Sequence, residues 1–399
     1  MQEPAPRYAG YRSFDYLVPH VDYKVFELAP QIGRVPEHDL GLSDDQRARV
    51  SRLLREHMAI SLHEHPKILP ADVTQLRDYN RTGRNSFGFE GLARSGMTAV
   101  FDNFMNGTGC VTSEHAWKWD DVIYDIGLRF ADVAKQDHVV VATTLEQIFE
   151  AKRNGQIALV AGLEAATMIE NELDRIDILY GFGVRQMGIA YSQANMLGSG
   201  LSEDRDGGLT HFGRRAVDRM NKLGIAIDIS HSGDQTSLDV IEASRVPVFI
   251  THAGARSVWN TSRMKPDEVI RACAERGGVI GIEAAPHTTL SQAHQHHSIE
   301  SVMDHFTYCV DLVGIDHVTF GPDTMFGDHV GVHDTYAGNY AHDAGNRPQH
   351  PRVEYVSGLE NPGEAFGNIV GWLVAHDYSD DEIAKVIGGN TIRVLEQVW

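Results

Sequence analysis

The chain has 399 residues, of which 42% are hydrophobic, and a formal net charge of −20 at pH 7. The hydrophobic content is sufficient for a large core, and the acidic balance argues against nucleic acid as a partner, because nucleic acids attract basic surfaces. The sequence has no apolar run near the roughly 18 residues of a membrane span and no secretory signal in its first residues, so we expect a cytoplasmic protein without membrane contact. Its cysteines, Cys110, Cys273 and Cys309, are typical of thiols in a reducing compartment.

The predicted elements begin with a helix and then alternate between strands and helices. Residues 1–57 form an N-terminal extension, irregular at first and then helical over 43–56, where Ser43 caps the helix. We expect this extension to pack on the domain that follows. Eight apolar segments predict strands, namely 58–63, 97–104, 158–163, 185–190, 225–230, 246–251, 278–283 and 317–321. Helices are predicted between most of them, over 120–135, 144–154, 210–223, 233–244, 266–276 and 298–313. This alternation indicates parallel strands, and eight of them indicate an α/β fold that closes into a (β/α)8 TIM barrel.

An open, doubly wound sheet is the competing architecture, but it would gather its ligands at one switch point. Residues 324–360 follow the last strand directly, so this long insertion would lie at the catalytic face as a lid or a substrate-binding element. Three closing helices are predicted over 363–376, 379–387 and 390–398. The chain contains no repeat and no low-complexity linker, so we predict one barrel domain over 58–399.

Five of the predicted strands run directly into side chains that bind metals. These are His63 and His65 at the first strand, Glu164 at the third, His231 at the fifth, His252 at the sixth and Asp323 at the eighth. In a barrel such strand ends meet on one face, and imidazole with carboxylate suits zinc and related metals. Alternate residues of a strand share a face, so Glu64 would point away from the metals, and both Glu64 and Asp228 are interpreted as structural. A carboxylate at Glu164 is costly to bury unless it is paired or bound to metal.

Eight short motifs in a fixed order resemble the membrane dipeptidase (renal dipeptidase) family of zinc peptidases, within the amidohydrolase-like barrels. The resemblance covers roughly residues 58–399. The motifs are GQIALVAGLE at 155–164, GVRQM at 183–187, GLTHFG at 208–213, LGIAIDISH at 223–231, TH at 251–252, SR at 262–263, FGPD at 320–323 and NTIRV at 390–394. Each motif alone is weakly specific, whereas their order and spacing together are specific.

The resemblance implies a binuclear site with two divalent metal ions, zinc being the expected metal. It makes Glu164 the carboxylate that bridges both ions and His63 the first histidine of the strand-one motif. It makes His231 and His252 the pair on the second ion.

Asp323 matches the family's aspartate that interacts with the attacking water, and Arg263 matches the arginine that pairs with the substrate's carboxylate. Two positions depart from the family. His65 stands where the family has aspartate, and Tyr191 stands where it has a histidine that contacts the scissile carbonyl. His65 still offers a ligand, and Tyr191 can still donate a hydrogen bond to an oxyanion. Metal binding is therefore expected, whereas specificity for dipeptides is less firmly implied.

The predicted reaction is hydrolysis of an amide bond by metal-activated hydroxide. Metal ions would lower the pKa of a bound water toward neutrality, and Asp323 would accept its proton and pass it to the leaving nitrogen. Arg263 would hold a carboxylate of a small dipeptide-like or N-acyl amino acid substrate through two parallel hydrogen bonds. Three alternatives stay open: an amidohydrolase acting on a lactam, cyclic imide or other carboxylated amide, a metal-dependent lyase or decarboxylase, and a non-catalytic metal-binding protein. The oligomeric state stays open as well, with a homodimer as one option.

Two further groups of histidines lie outside the predicted centre. One follows the seventh strand, where an exposed loop is favoured over a second metal site, and comprises His294, His296 and His297. The other lies in the 324–360 insertion, where contact with substrate is open to it, and comprises His329, His333 and His342.

Overall fold

The computed structural model describes residues 8–104, 118–336 and 350–399, and within these ranges nine parallel strands form one sheet. The strands are β1 Ile60–Glu64, β2 Ala99–Asn103, β3 Val139–Val141, β4 Ile157–Leu163, β5 Val184–Gly188, β6 Ala226–Asp228, β7 Phe249–Ala253, β8 Val279–Ile282 and β9 Val318–Phe320. Their order is β1-β2-β4-β5-β6-β7-β8-β9, and β3 pairs with β4 outside this path.

Helices connect the strands and cover the outer face of the sheet. They are α1 Asp44–Glu56, α2 Leu76–Thr82, α3 Phe89–Leu92, α4 Trp119–Val133, α5 Leu145–Arg153, α6 Asp174–Gly181, α7 His211–Leu223, α8 Asp234–Ala243, α9 Asp267–Glu275, α10 Ile299–Val313, α11 His329–Thr335, α12 Ala365–Ala375, α13 Asp380–Ala384 and α14 Asn390–Val398. No helix in the described ranges is both long and apolar enough to cross a membrane.

The sheet curves until β9 lies beside β1. Just beyond β9, the Asp323 N–H donates to the His63 carbonyl at 3.0 Å, and the His65 N–H donates to the Thr324 carbonyl at 3.0 Å. The result is a nearly closed eight-stranded barrel with β3 at its margin, as the sequence predicts. All eight predicted strands are present within a few residues of their predicted bounds, and only the short β3 was not predicted.

Local chemistry explains where the elements start and stop. All seven residues of β4 are buried, because helices cover one face and barrel side chains fill the other, so its sequence is apolar throughout. At α7 the Thr210 hydroxyl accepts a hydrogen bond from Gly213 N at 2.9 Å, which caps the first turn. The same helix ends at Gly224, whose φ of 76° is the left-handed conformation that glycine adopts without strain.

The insertion over 324–360 differs in part from the prediction, and some of its residues are not among those that the structure describes. The insertion predicted as a loop over 324–360 contains a helix, α11, which Asp328 caps through its contact with Gly331 N at 2.8 Å. Residues 337–349, which include His342, lie outside the described residues, as does Cys110. The N-terminal segment contacts α4, where the Tyr11 hydroxyl donates to Asp132 at 2.7 Å.

Glu64 joins the first strand of the barrel, β1, to the segment that follows the last strand, β9. Its side chain lies on the opposite side of β1 from the predicted ligands. Its carboxylate is fully buried and accepts hydrogen bonds from the Thr324 N–H at 2.8 Å, the Thr324 hydroxyl at 2.7 Å and the Ser61 hydroxyl at 3.0 Å. Burial raises the pKa of Glu64 to about 8, although these hydrogen bonds act in the opposite direction. Glu64 therefore fixes the backbone that immediately follows Asp323.

We expect Glu64→Ala to lower the free energy of unfolding by about 2–4 kcal/mol, because the N–H and hydroxyl donors of Thr324 would be left buried without this acceptor. Glu64→Gln keeps one acceptor oxygen and should lose less. Urea unfolding measures both variants, with Glu275→Ala as a control at an exposed glutamate of α9. Equal midpoints for Glu64→Ala and the control would contradict this role.

Candidate metal centre

The six predicted ligand residues converge at the C-terminal ends of the barrel strands. Each is 8% exposed or less, and they come from β1 or its end, from the residue after β4, from the loop after β6, from β7 and from the segment after β9. They are His63, His65, Glu164, His231, His252 and Asp323. Parallel strands deliver these side chains to one place because their carboxyl ends share one face of the barrel.

One half of the cluster is built around an oxygen of Glu164. Glu164 Oε1 lies 2.9 Å from His231 Nε2 and 3.3 Å from His252 Nε2. The two imidazole Nε2 atoms are themselves 2.9 Å apart. These three atoms thus face one common point.

The other half is built around the histidines of β1. His63 Nε2 and His65 Nε2 lie 3.3 Å apart, and Asp323 Oδ1 is 3.6 Å and 3.3 Å from them respectively. Glu164 Oε2 is 3.8 Å from His65 Nε2 and Glu164 Oε1 is 3.9 Å from His63 Nε2. The Glu164 carboxylate therefore stands between the two halves.

The donor atoms fit a divalent metal. Nitrogens bound to one tetrahedral zinc at about 2.05 Å lie about 3.3 Å from each other, which is the spacing of the two β1 histidines. Burial lowers the pKa of His63 and His252 well below the usual value, so both imidazoles are neutral, and burial raises the pKa of Glu164 well above its own. Among the described residues Glu164 Oε2 and His63 Nδ1 have no hydrogen-bond partner. Clustered lone pairs and a buried carboxylate of this kind suit a divalent cation, and these residues could hold one.

Neighbouring groups orient the imidazoles. His65 Nδ1 lies 2.8 Å from the Asn103 carbonyl, and His252 Nδ1 lies 2.8 Å from the Thr251 hydroxyl, so in both rings Nε2 is left to face the centre. Asp228, interpreted from sequence as structural, accepts from the Ser230 N–H and the Thr251 N–H, each at 3.0 Å. It holds the backbone next to His231 and His252, and its Oδ2 lies 4.0 Å from His252 Nδ1.

Asp323 adopts a backbone conformation that is rare for its residue type. Its φ of 57° lies in the left-handed region, where a side chain is strained unless its surroundings fix it. The hydrogen bond to His63 O supplies that restraint. Burial raises the pKa of Asp323, but the contact with His65, the first of the opposing causes, and the other nearby imidazoles lower it overall, so the carboxylate is ionised.

Tyr191 lies beside the Glu164 half of the cluster. Its ring stacks on the His231 ring, with centroids 4.0 Å apart and planes 24° apart. The structure therefore brings Tyr191 together with the ligand residues, at the position expected from the sequence.

Arg263 is also next to the centre, but it already has an anionic partner. Its Nη2 donates to the Glu283 carboxylate and, at 3.0 Å, to the carbonyl of His252. Both side chains are buried, Glu283 completely. The sequence analysis took Arg263 as the anchor of a substrate carboxylate, whereas the structure pairs it with a carboxylate of the chain. Glu283 was missed, although it follows the apolar strand β8 directly, which is the same signal that identified Glu164.

A small cavity of about 40 Å³ adjoins the centre on the side of His65. It lies between the ends of β1 and β2 and helix α4, and Asp102, Asp125 and Arg129 contribute to its walls. Asp102 forms an ion pair with Arg129 Nε at 2.9 Å, and burial raises the pKa of Asp125 to about 7. The walls of this space combine these charged groups with apolar residues such as Phe104 and Leu128, and His65 joins it to the ligand cluster.

The other histidines have different roles. His297, expected in an exposed loop, is buried, and it contacts the His287 N–H at 2.9 Å and the Thr289 hydroxyl at 3.0 Å. The neighbouring His294 is partly exposed and pairs with Asp304 at 2.8 Å. Within the described ranges, each group of three or more metal-type ligands belongs to the centre above.

Comparison with known proteins identifies a family of similar sequences. Residues 47–335 match the sequence model of a family described as membrane dipeptidase (peptidase family M19). Dipeptidase verJ of Clonostachys rogersoniana is 27% identical over 280 residues, which are 70% of this chain and 63% of that protein. The chain spans only 45–63% of the length of the first curated relatives that it matches.

Two solved structures share the fold. An amidohydrolase from Pseudomonas aeruginosa superposes with a TM-score of 0.71 at 24% identity, covering 88% of this chain and 99% of the other. A metallo peptidase from Rhodobacter sphaeroides, liganded with a phosphinate mimic of the dipeptide L-Ala-D-Ala, superposes with a TM-score of 0.65 at 19% identity, covering 86% and 99%. At these identities the likeness concerns the barrel alone.

We expect chelation to lower the melting temperature of the protein, because the neutral imidazoles and Glu164 would lose the cation that joins them. Metal present at 100–1,000 times its dissociation constant stabilises a folded chain by about 3–4 kcal/mol. Thermal unfolding with EDTA, and after adding back zinc, cobalt or manganese, measures the effect. Glu164→Ala should lose most of this response and the control His294→Ala should keep it. A melting temperature indifferent to chelator after verified metal removal would contradict the site.

Proposed function

The chain belongs to the membrane dipeptidase family, and we propose that it is a metal-dependent hydrolase that cleaves an amide bond in a small dipeptide-like or N-acyl amino acid substrate. The main support is the convergence of six buried metal-type ligands from five strands, with an ionised aspartate at its edge. A dipeptidase among the curated relatives and a dipeptide mimic bound to a protein of the same fold agree with this proposal.

The proposal includes two divalent ions, with zinc as the expected metal. Six candidate ligands exceed the four that one tetrahedral ion uses. The two halves of the cluster share Glu164, whose oxygens approach His231 on one side and His65 on the other. A carboxylate between two groups of imidazoles is the arrangement that a bridging ligand requires.

The groups at the centre would have different roles in the hydrolysis. Divalent ions bound there would acidify a water and polarise the scissile carbonyl. Asp323, ionised and 3.3 Å from His65, would accept the proton of the attacking water and donate it to the leaving nitrogen. Tyr191, stacked beside His231, would donate a hydrogen bond toward the developing oxyanion.

One observation favours a second candidate. Because Arg263 is paired with Glu283, it is not a free cation for a substrate carboxylate, which suits an amidohydrolase acting on a lactam or cyclic imide. Hydrolysis of cyclic amides in preference to linear dipeptides by the metal-replete protein would favour this alternative.

We expect about two transition-metal ions per chain, since the ligand set exceeds the needs of one tetrahedral ion. Elemental analysis of metal-replete, dialysed protein measures the ratio. His65→Ala should lower it by removing a ligand from the β1 half, and the partly exposed His294→Ala should leave it unchanged. A ceiling near one ion in the unmodified protein would overturn the binuclear proposal.

Asp323→Asn should cut turnover by about 100-fold or more, the usual scale for a positioned acid–base group. The amide keeps the volume of the carboxylate but cannot accept the proton, so metal content and folding should change little. Initial rates on a dipeptide panel that includes L-Ala-D-Ala measure the loss. Asp316→Asn, at the exposed opposite end of β9, is the matched control. Near-normal turnover of Asp323→Asn with full metal would assign the proton transfer to another residue.

A further inference from the structure

The Arg263–Glu283 pair carries an inference about substrate class that rests on the proposed function. Arg263 follows β7 and Glu283 is the residue after β8, so each comes from a strand end at the catalytic face. Arg263 Nη2 contacts both the Glu283 carboxylate and the carbonyl of His252, which places the pair directly against a candidate metal ligand.

Glu283 is held firmly in this position. Its backbone N–H donates to the Ala253 carbonyl at 3.1 Å, and its own carbonyl accepts from the Thr289 hydroxyl at 2.9 Å. The side chain has no exposed surface. The backbone of Glu283 is therefore fixed, and its enclosed carboxylate is held against Arg263.

The pair changes the charge that a substrate would meet. A lone guanidinium attracts a carboxylate and binds it bidentately. Burial raises the pKa of Glu283 to about 8, whereas its direct contact with the Arg263 guanidinium favours the ionised form. The ionised carboxylate offsets the guanidinium charge, so a substrate carboxylate brought to Arg263 would also approach a second carboxylate. Repulsion between like charges is strong where water is excluded.

No other cation of this segment is available to replace Arg263. Arg256 binds both oxygens of Asp234, at 2.6 Å and 2.9 Å. Lys265 is buried and donates to the Ser232 carbonyl at 2.5 Å. Each of the three cationic side chains between β7 and α9 therefore has a partner within the chain.

One hydrogen-bond donor of the pair remains. Arg263 Nη1 is buried and has no hydrogen-bond partner among the described residues. With its charge cancelled, this N–H group suits a neutral acceptor better than an anion. We propose that Glu283 determines specificity by neutralising Arg263, so that the site accepts substrates with an uncharged carbonyl next to the scissile amide, as in a carboxamide, ester or lactam, in preference to a free carboxylate.

The test compares one dipeptide with its C-terminal carboxamide, which differs only in the group that would approach Arg263. The metal-replete wild type should have a kcat/KM for the carboxamide equal to or above that for the acid. Glu283→Gln keeps the side-chain volume and an acceptor for Nη2 but leaves Arg263 charged. The ratio should then shift toward the acid by about tenfold or more, as expected when one partner of a buried charge pair is removed.

Two controls separate specificity from general damage. Glu275→Gln, at an exposed position of α9, should leave the ratio unchanged. The double variant Glu283→Gln with Arg263→Met should lose the gain in acid preference, because no cation remains. A Glu283→Gln variant with the wild-type ratio, or a wild type that prefers the acid by tenfold, would overturn the proposal.

A binding measurement keeps the test decisive if Glu283→Gln fails to fold or if neither substrate is cleaved. A phosphinate dipeptide mimic with a free carboxylate and its carboxamide can be compared by calorimetry on the wild-type holoprotein. Equal or tighter binding of the carboxamide is expected, and tenfold tighter binding of the acid would overturn the inference. Absence of hydrolysis of both substrates, with this binding order preserved, would instead count against the proposed function.

Discussion

The metal centre depends on the burial of one carboxylate, Glu164, among four imidazoles. Desolvation raises the free energy of an isolated buried carboxylate by several kcal/mol, and neutral imidazole nitrogens cannot offset that cost by themselves. A divalent cation satisfies the carboxylate and the nitrogen lone pairs together. The barrel makes this arrangement attainable, because the carboxyl ends of five parallel strands deliver side chains to one face.

The contact between β1 and the segment after β9 affects both the stability of the barrel and the position of Asp323. Glu64 accepts hydrogen bonds from Thr324, so the strand that leads to His63 and His65 also fixes the segment that carries Asp323. The positive φ of Asp323 is maintained by these contacts. The hydrogen bonds between Glu64 and Thr324 thus offset the strain at Asp323. Substitutions of Glu64 would act on this segment without contacting the substrate.

The strands and most site residues could be predicted from the sequence, because an apolar run that ends on histidine or a carboxylate specifies both a buried strand and its catalytic end. β3 was not predicted, since three valines after Asp137 and His138 are too short a signal. The Arg263–Glu283 pair was not predicted either, because the contact joins two loops twenty residues apart and depends on how β7 and β8 bring them together. The burial of His297 likewise depends on tertiary packing that its histidine-rich surroundings do not indicate.

The most direct test of the account is a zinc titration of verified metal-free protein, followed by the hydrolysis of a dipeptide and its carboxamide. The account predicts no turnover without metal and a rise that reaches its plateau near about two ions per chain, in keeping with a ligand set too large for one tetrahedral ion. Glu164→Ala should remain inactive at every zinc concentration. Full turnover by metal-free protein, or a normal titration of Glu164→Ala, would contradict the claim that this centre carries the reaction.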